Sequence, residues 1–155
     1  MFFLKFAAGI SAVITVSFFA KTKCKKMRSE YEFFNALNEY LKSVKSAAGY
    51  KKAKISEISV ENADFKEFLG NFPVTGKLSD LTAPEYLTEA EKLKIATLFS
   101  FIVSADAKSL NEALNSYISE FGGVTDEKRA NLLKRKPVYL KVGFAVGLML
   151  FIMVI

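Results

Sequence analysis

Residues 141–155 read KVGFAVGLMLFIMVI, one lysine followed by fourteen residues without a charged side chain. The apolar run starts at Val138 and covers eighteen residues, VYLKVGFAVGLMLFIMVI, directly after the basic stretch KRKP. As an α-helix rising about 1.5 Å per residue it would measure roughly 27 Å, close to the thickness of a bilayer's hydrocarbon core. Lys141 can extend its amine to the interface, and Tyr139 stands at interface depth. A helix of this kind either packs into a globular core or crosses a membrane, and the rest of the sequence decides between them.

A matching pattern occupies the other end. FFLKFAAGISAVITVSFFA, residues 2–20, carries a single charge, Lys5, and is followed at once by KTKCKKMR, five cations in eight residues. A cleaved secretory leader is a poor alternative, because Phe18 falls where a small residue is wanted and the cations behind it resist translocation. By the positive-inside rule, Lys21, Lys23, Lys25, Lys26 and Arg28 stay in the cytoplasm, and Lys134, Arg135 and Lys136 do so independently. The expectation is a transmembrane helix over 1–20, a cytoplasmic region over 21–137 and a second transmembrane helix over 138–155, with the lipid bilayer as the first partner.

The 155 residues are 51% hydrophobic and 25% charged, with a formal net charge of +6. Mean hydropathy is +0.20. These averages conceal a division: residues 1–28 and 128–155 each hold six cations and no acid, leaving ten cations and all sixteen acids in residues 29–127. Both basic clusters adjoin apolar runs and lack interleaved aromatic rings for stacking on bases, so nucleic acid is not the expected partner. A single cysteine, Cys24, builds neither an intramolecular disulfide nor a zinc site, and the absence of histidine removes the Ser-His-Asp type of triad. No glycine-rich phosphate loop is present. Acid pairs such as Asp64 with Glu67 or Glu89 with Glu91 have no nucleophile beside them and read as solvated helix faces. No enzyme activity and no cofactor are expected.

Between the ends the pattern is helical. In MRSEYEFFNALNEYLKSVKSAAGY, residues 27–50, Met27, Tyr31, Phe34, Leu37, Leu41, Val44 and Ala48 recur at intervals of three and four, with Gly49 as a stop and a start that merges with the first apolar run. A second helix is predicted from Ile55 to about Gly70. The segment PVTGKLSDLTAPEY, residues 73–86, is the one clear loop. A third helix follows Thr82 or Thr88 as cap and closes on the apolar stretch Ile95–Val103, too short to span a bilayer and so read as a core helix. SLNEALNSYISEF then places Leu110, Leu114, Tyr117 and Phe121 on one face, Gly122 and Gly123 are expected to break it, and Thr125 to cap a renewed helix. The fold class is all-α: an antiparallel helical bundle flanked by terminal transmembrane helices, its phenylalanines mostly core.

Gly143 and Gly147, four residues apart, allow close helix approach in lipid, where burial alone does not drive association. Ala8 and Ala12 offer small side chains at the same spacing in the first apolar run, as do Ala7, Ser11 and Thr15. The contact would form within the chain or between protomers of a homo-oligomer.

Two terminal spans around a helical middle resemble the stage III sporulation protein AB family of endospore-forming bacteria, itself similar to half of an F-type platform protein of type II secretion. The likeness rests on LKFAAGISAVITV with its basic flank, on GYKKAKISEI, on YLTEAEKLKIATLFSFIVSAD with Ser104 and Asp106 near the family's polar turn positions, and on YLKVGFAVGLMLFIMVI with both glycines. Ala53 and Lys54 replace the family's Thr-Pro, Val103 replaces a usual glycine, and Gly122 with Gly123 stand where the family keeps its helix continuous. The resemblance implies a non-enzymatic scaffold of a channel complex in the mother-cell membrane facing the forespore, held by other membrane proteins of that complex and docking a cytoplasmic secretion-type ATPase. Glu89, Glu91 and Asp106 are the candidate docking residues. A small pore-forming or lytic membrane protein is the alternative; it requires a polar stripe, for which only Ser11, Thr15 and Ser17 are available.

Overall fold

The computed structural model describes residues 2–49 and 61–154, with side chains described within 7–47, 61–106 and 109–153. It is helical throughout, with no strand among the described residues. α1 is Phe2–Gly49, α2 Ala63–Leu69, α3 Phe72–Thr75, α4 Glu89–Ser104 and α5 Ala107–Val154, and a 3-10 turn at Leu78–Asp80 lies between α3 and α4.

The chain divides into two compact units, a terminal one made of Met1–Arg28 and Lys128–Ile155 and a central one made of Ser29–Glu127. These boundaries are those at which the charge composition changes. Both long helices contribute residues to each unit.

The central unit has one core. From α1 it takes Phe33, Phe34, Leu37, Tyr40, Leu41 and Val44; Phe65, Phe68 and Leu69 of α2 and Phe72 of α3 join them. Leu87, then Ile95, Leu98, Phe99 and Ile102 of α4, and Leu110, Leu114 and Phe121 of α5 complete it. On α1 the inward stripe is wider than predicted: Phe33 and Tyr40 are buried beside the expected Phe34, Leu37, Leu41 and Val44, while Met27 and Tyr31 are half-buried and Ala48 lies outside the described side chains. The aromatic rings interlock. Phe33 meets Phe65 and Phe68, each at 5.4 Å between centroids, and Phe99 meets Phe72 at 4.9 Å, all edge to face. Such pairs contribute about 0.5–1.5 kcal/mol beyond burial.

Local chemistry sets the short elements. Asn62 is extended, and its side-chain oxygen accepts the Phe65 backbone N–H at 2.8 Å, so α2 starts after Asn62. The predicted start at Ile55 lies outside the described residues, but non-helical Asn62 shows that no helix runs unbroken from there to Gly70. Gly70 ends α2 at φ 48°, in the left-handed region that favours glycine. The expected loop is partly ordered: Pro73 sits in the first turn of α3, where its missing N–H costs nothing, and Gly76 closes that turn at φ 64°. Thr88, not Thr82, caps α4. Its hydroxyl accepts the Glu91 N–H while the Glu91 carboxylate accepts the Thr88 N–H at 2.8 Å, a reciprocal capping box. α4 is amphipathic, with Leu93 and Val103 exposed, so one face of the apolar run is core rather than the whole of it.

Gly122 and Gly123 do not break α5, which runs through both. Two helical glycines cost about 2 kcal/mol together relative to alanine. Buried Phe121 holds the segment against the core, and Thr125, expected to cap a new helix, instead donates its hydroxyl to the Phe121 carbonyl at 2.7 Å. Pro137 also lies inside α5.

Candidate functional site

The terminal unit pairs the first part of α1 with the last part of α5. Cys24 Sγ donates to the Lys136 carbonyl at 3.9 Å. A Cβ added to Gly143 would meet the Ala20 Cβ at 2.9 Å, one on Gly147 would meet the Val13 Cα at 3.3 Å, and one on Gly9 would meet the Phe151 ring at 2.7 Å. Moving up α5 from Lys136 to Phe151 therefore moves down α1 from Cys24 to Gly9. Both intervals are fifteen residues, an antiparallel pair in contact over roughly 22 Å. Where a glycine faces a neighbouring backbone, no side chain keeps the two helices apart.

Gly143 and Gly147 are buried in this contact, within one chain. Ala8 is exposed and Ala12 half-buried, and neither is among the atoms nearest the two glycines. The α1 side of the seam is Gly9, Val13, Ala20 and Cys24, of which the sequence reasoning singled out none as packing residues. Small residues at 9, 20 and 24 on a four-residue rhythm with Val13 and Val16 were the available signal.

Away from the seam the terminal unit is apolar and uncovered. Phe18 is 71% exposed, Phe144 59%, Ile152 74% and Met153 83%. α5 holds a stretch, within Ser109–Met153, long and apolar enough to cross a membrane, and only 11% of its most apolar window is buried, whereas a core helix would be mostly covered. For the first apolar run, the side chains of residues 2–6 fall outside the described set. Polar groups on these outward faces are satisfied locally: the Thr15 hydroxyl donates to the Ser11 carbonyl at 2.8 Å and that of Thr22 to Phe18 at 3.0 Å.

Beside this surface sit the flanking cations. Lys21, Lys23, Lys25, Lys26 and Arg28 on α1, and Lys134, Arg135 and Lys136 on α5, are all exposed.

The candidate docking acids are not brought together. Glu91 is engaged in the α4 capping box, and Glu89 in the same first turn pairs with Lys92 at 2.8 Å. Asp106 lies beyond the other end of α4, about 22 Å along the axis, where its carbonyl accepts the Leu110 N–H and its carboxylate the Ser109 N–H. Local helix capping accounts for Glu91 and Asp106.

Sequence reasoning also missed a cavity of about 390 Å³ in the central unit, lined by Glu32, Asn35, Glu39, Tyr40, Glu61 and Asn62 among others. The Tyr40 hydroxyl is buried without a hydrogen-bond partner among the described residues, and burial pushes its pKa up to about 12. Tyr86 donates to Asp64 at 3.1 Å, and burial, with the nearby Asp64 charge, raises its pKa too. Among the described residues no three His, Cys, Asp or Glu side chains converge as a metal site requires.

No protein-family model matches the chain, and searches of curated proteins and of solved structures found no match.

Proposed function

We propose that this protein is a non-enzymatic, membrane-anchored adaptor: the terminal helix pair lies in the bilayer and the central helical bundle works in the cytoplasm. The observation that carries this reading is the exposed apolar girth of the terminal unit, adjoining a basic and acid-free collar. In water, uncovered side chains the size of Phe18, Phe144 and Ile152 each forfeit about 1.5–3 kcal/mol of burial. In lipid they lose nothing. The collar orients the pair with its cationic side in the cytoplasm.

The resemblance to the stage III sporulation protein AB family supplies the assembly: a secretion-like channel in the mother-cell membrane facing the forespore. There the spans would hold neighbouring membrane proteins and the bundle would dock a cytoplasmic ATPase. A central unit of net charge −6 suits a basic partner face. The test is affinity purification of the full chain from membranes of sporulating cells. Recovery of channel membrane proteins together with a secretion-type ATPase is the expected result, and recovery of the chain with neither would contradict the assembly while leaving the membrane anchor in place.

A further inference from the structure

The register of the terminal unit joins two features that are 112 positions apart in the chain. Because Cys24 meets the Lys136 carbonyl, the segment Lys21–Lys26 of α1 and the segment Lys134–Lys136 of α5 stand at one level of the helix pair. Buried Ala20 and Cys24 fill the seam, and the cations all project away from it, exposed. Seven cations thus form a ring about 10 Å deep in a unit containing no acid, and among the described residues none of the seven makes an ion pair. Like charges this close lie within a Debye length and repel one another. A stable arrangement calls for anions from outside the chain, at this depth.

We propose that this ring is a docking surface for the phosphate headgroups of anionic phospholipids in the leaflet beside it. The proposal rests on the membrane reading above and goes beyond it: the collar selects lipid as well as setting orientation. Clusters of four to eight Lys and Arg next to a membrane-spanning helix attract anionic headgroups, with about a fivefold gain in affinity per cation near the surface. Nucleic acid, the other polyanion, fits less well. No aromatic side chain lies within Lys21–Lys26 or Lys134–Lys136 to stack on a base, and the ring adjoins the exposed apolar girth, which would bar a duplex and admits a headgroup.

The test reconstitutes the full chain in nanodiscs of mixed phosphatidylcholine and phosphatidylglycerol and reads by native mass spectrometry which lipids stay bound. The expected result is preferential retention of phosphatidylglycerol. In the Lys134→Gln, Arg135→Gln, Lys136→Gln variant that preference should fall at least about tenfold, and in the control Lys45→Gln, Lys66→Gln, Lys77→Gln it should be unchanged. About 1 M salt should erase the preference of the unmodified protein, a readout that does not depend on any variant folding. Equal retention of both lipids by a chain that resists carbonate extraction would overturn the lipid docking and leave the anchor standing. Release of the chain by carbonate would overturn both, and displacement of phosphatidylglycerol by a DNA duplex would assign the ring to nucleic acid instead.

Discussion

Phenylalanine behaves in opposite ways in the two units. In the central unit Phe33, Phe34, Phe65, Phe68, Phe72, Phe99 and Phe121 are buried, and only Phe101 is partly open. In the terminal unit Phe18, Phe19 and Phe144 are exposed, while the seam is built mainly of glycine, alanine, cysteine and valine, with one half-buried ring, Phe151, over Gly9. A fold stabilised by the hydrophobic effect puts its largest apolar side chains inside, as the central unit does. A helix pair in lipid has no such incentive and gains instead from close backbone contact, as the terminal unit does. On the proposed membrane reading, the inversion is what two solvents acting on one chain would produce.

The largest effect that tests this contrast comes from truncating one ring in each unit. Phe99→Ala removes a fully buried ring that touches Tyr40, Phe68 and Phe72. Urea unfolding followed by circular dichroism should show a loss of about 3–5 kcal/mol. Phe144→Ala should leave that transition within about 0.5 kcal/mol. Equal losses would erase the distinction between the units.

Next in size is the seam. Gly143→Ile with Gly147→Ile forces side chains against the Ala20 Cβ and the Val13 backbone. Overpacking of this kind costs about 1–3 kcal/mol, and Cys24, buried in the same seam, should be modified by a thiol reagent severalfold faster. The central unit's unfolding should not change. If Cys24 keeps its rate of modification, the glycines are incidental to the pairing.

Smaller still is a pH effect confined to the central unit. Tyr40 ionises near 10 in the unfolded chain and at about 12 when folded, so the unfolded state releases its proton first. Stability is therefore unaffected by this group below pH 10 and falls as pH rises from 10 to 12, by up to about 2 kcal/mol. Tyr40→Phe should remove that part of the decline and be neutral or slightly stabilising at pH 7, because the deleted hydroxyl has no partner among the described residues. A clear loss of stability at pH 7 would show that the hydroxyl makes a contact in solution.

Much of this was legible in the sequence. The all-helical fold follows from apolar residues at intervals of three and four, and the partition of acids by simple counting marks the same borders as the two units. Other features were not legible, because tertiary context overrode local rules. Gly122 and Gly123 read as a break, yet the anchoring of Phe121 offsets their cost. Asn62 falls inside the helix predicted from Ile55, so nothing local marks it as the cap that it is. Glu91 and Asp106 looked available to a partner, although short-range capping engages both. The seam pairs residues more than a hundred positions apart, so nothing in either segment alone shows that Cys24 stands level with Lys136.

The chain contains no tryptophan, so Phe144→Trp gives a single reporter on the uncovered face of α5. In vesicles whose acyl chains carry bromine, the account predicts strong quenching of that tryptophan by the lipid and almost none by iodide in the surrounding water. Strong quenching by iodide with none from the brominated chains would contradict it.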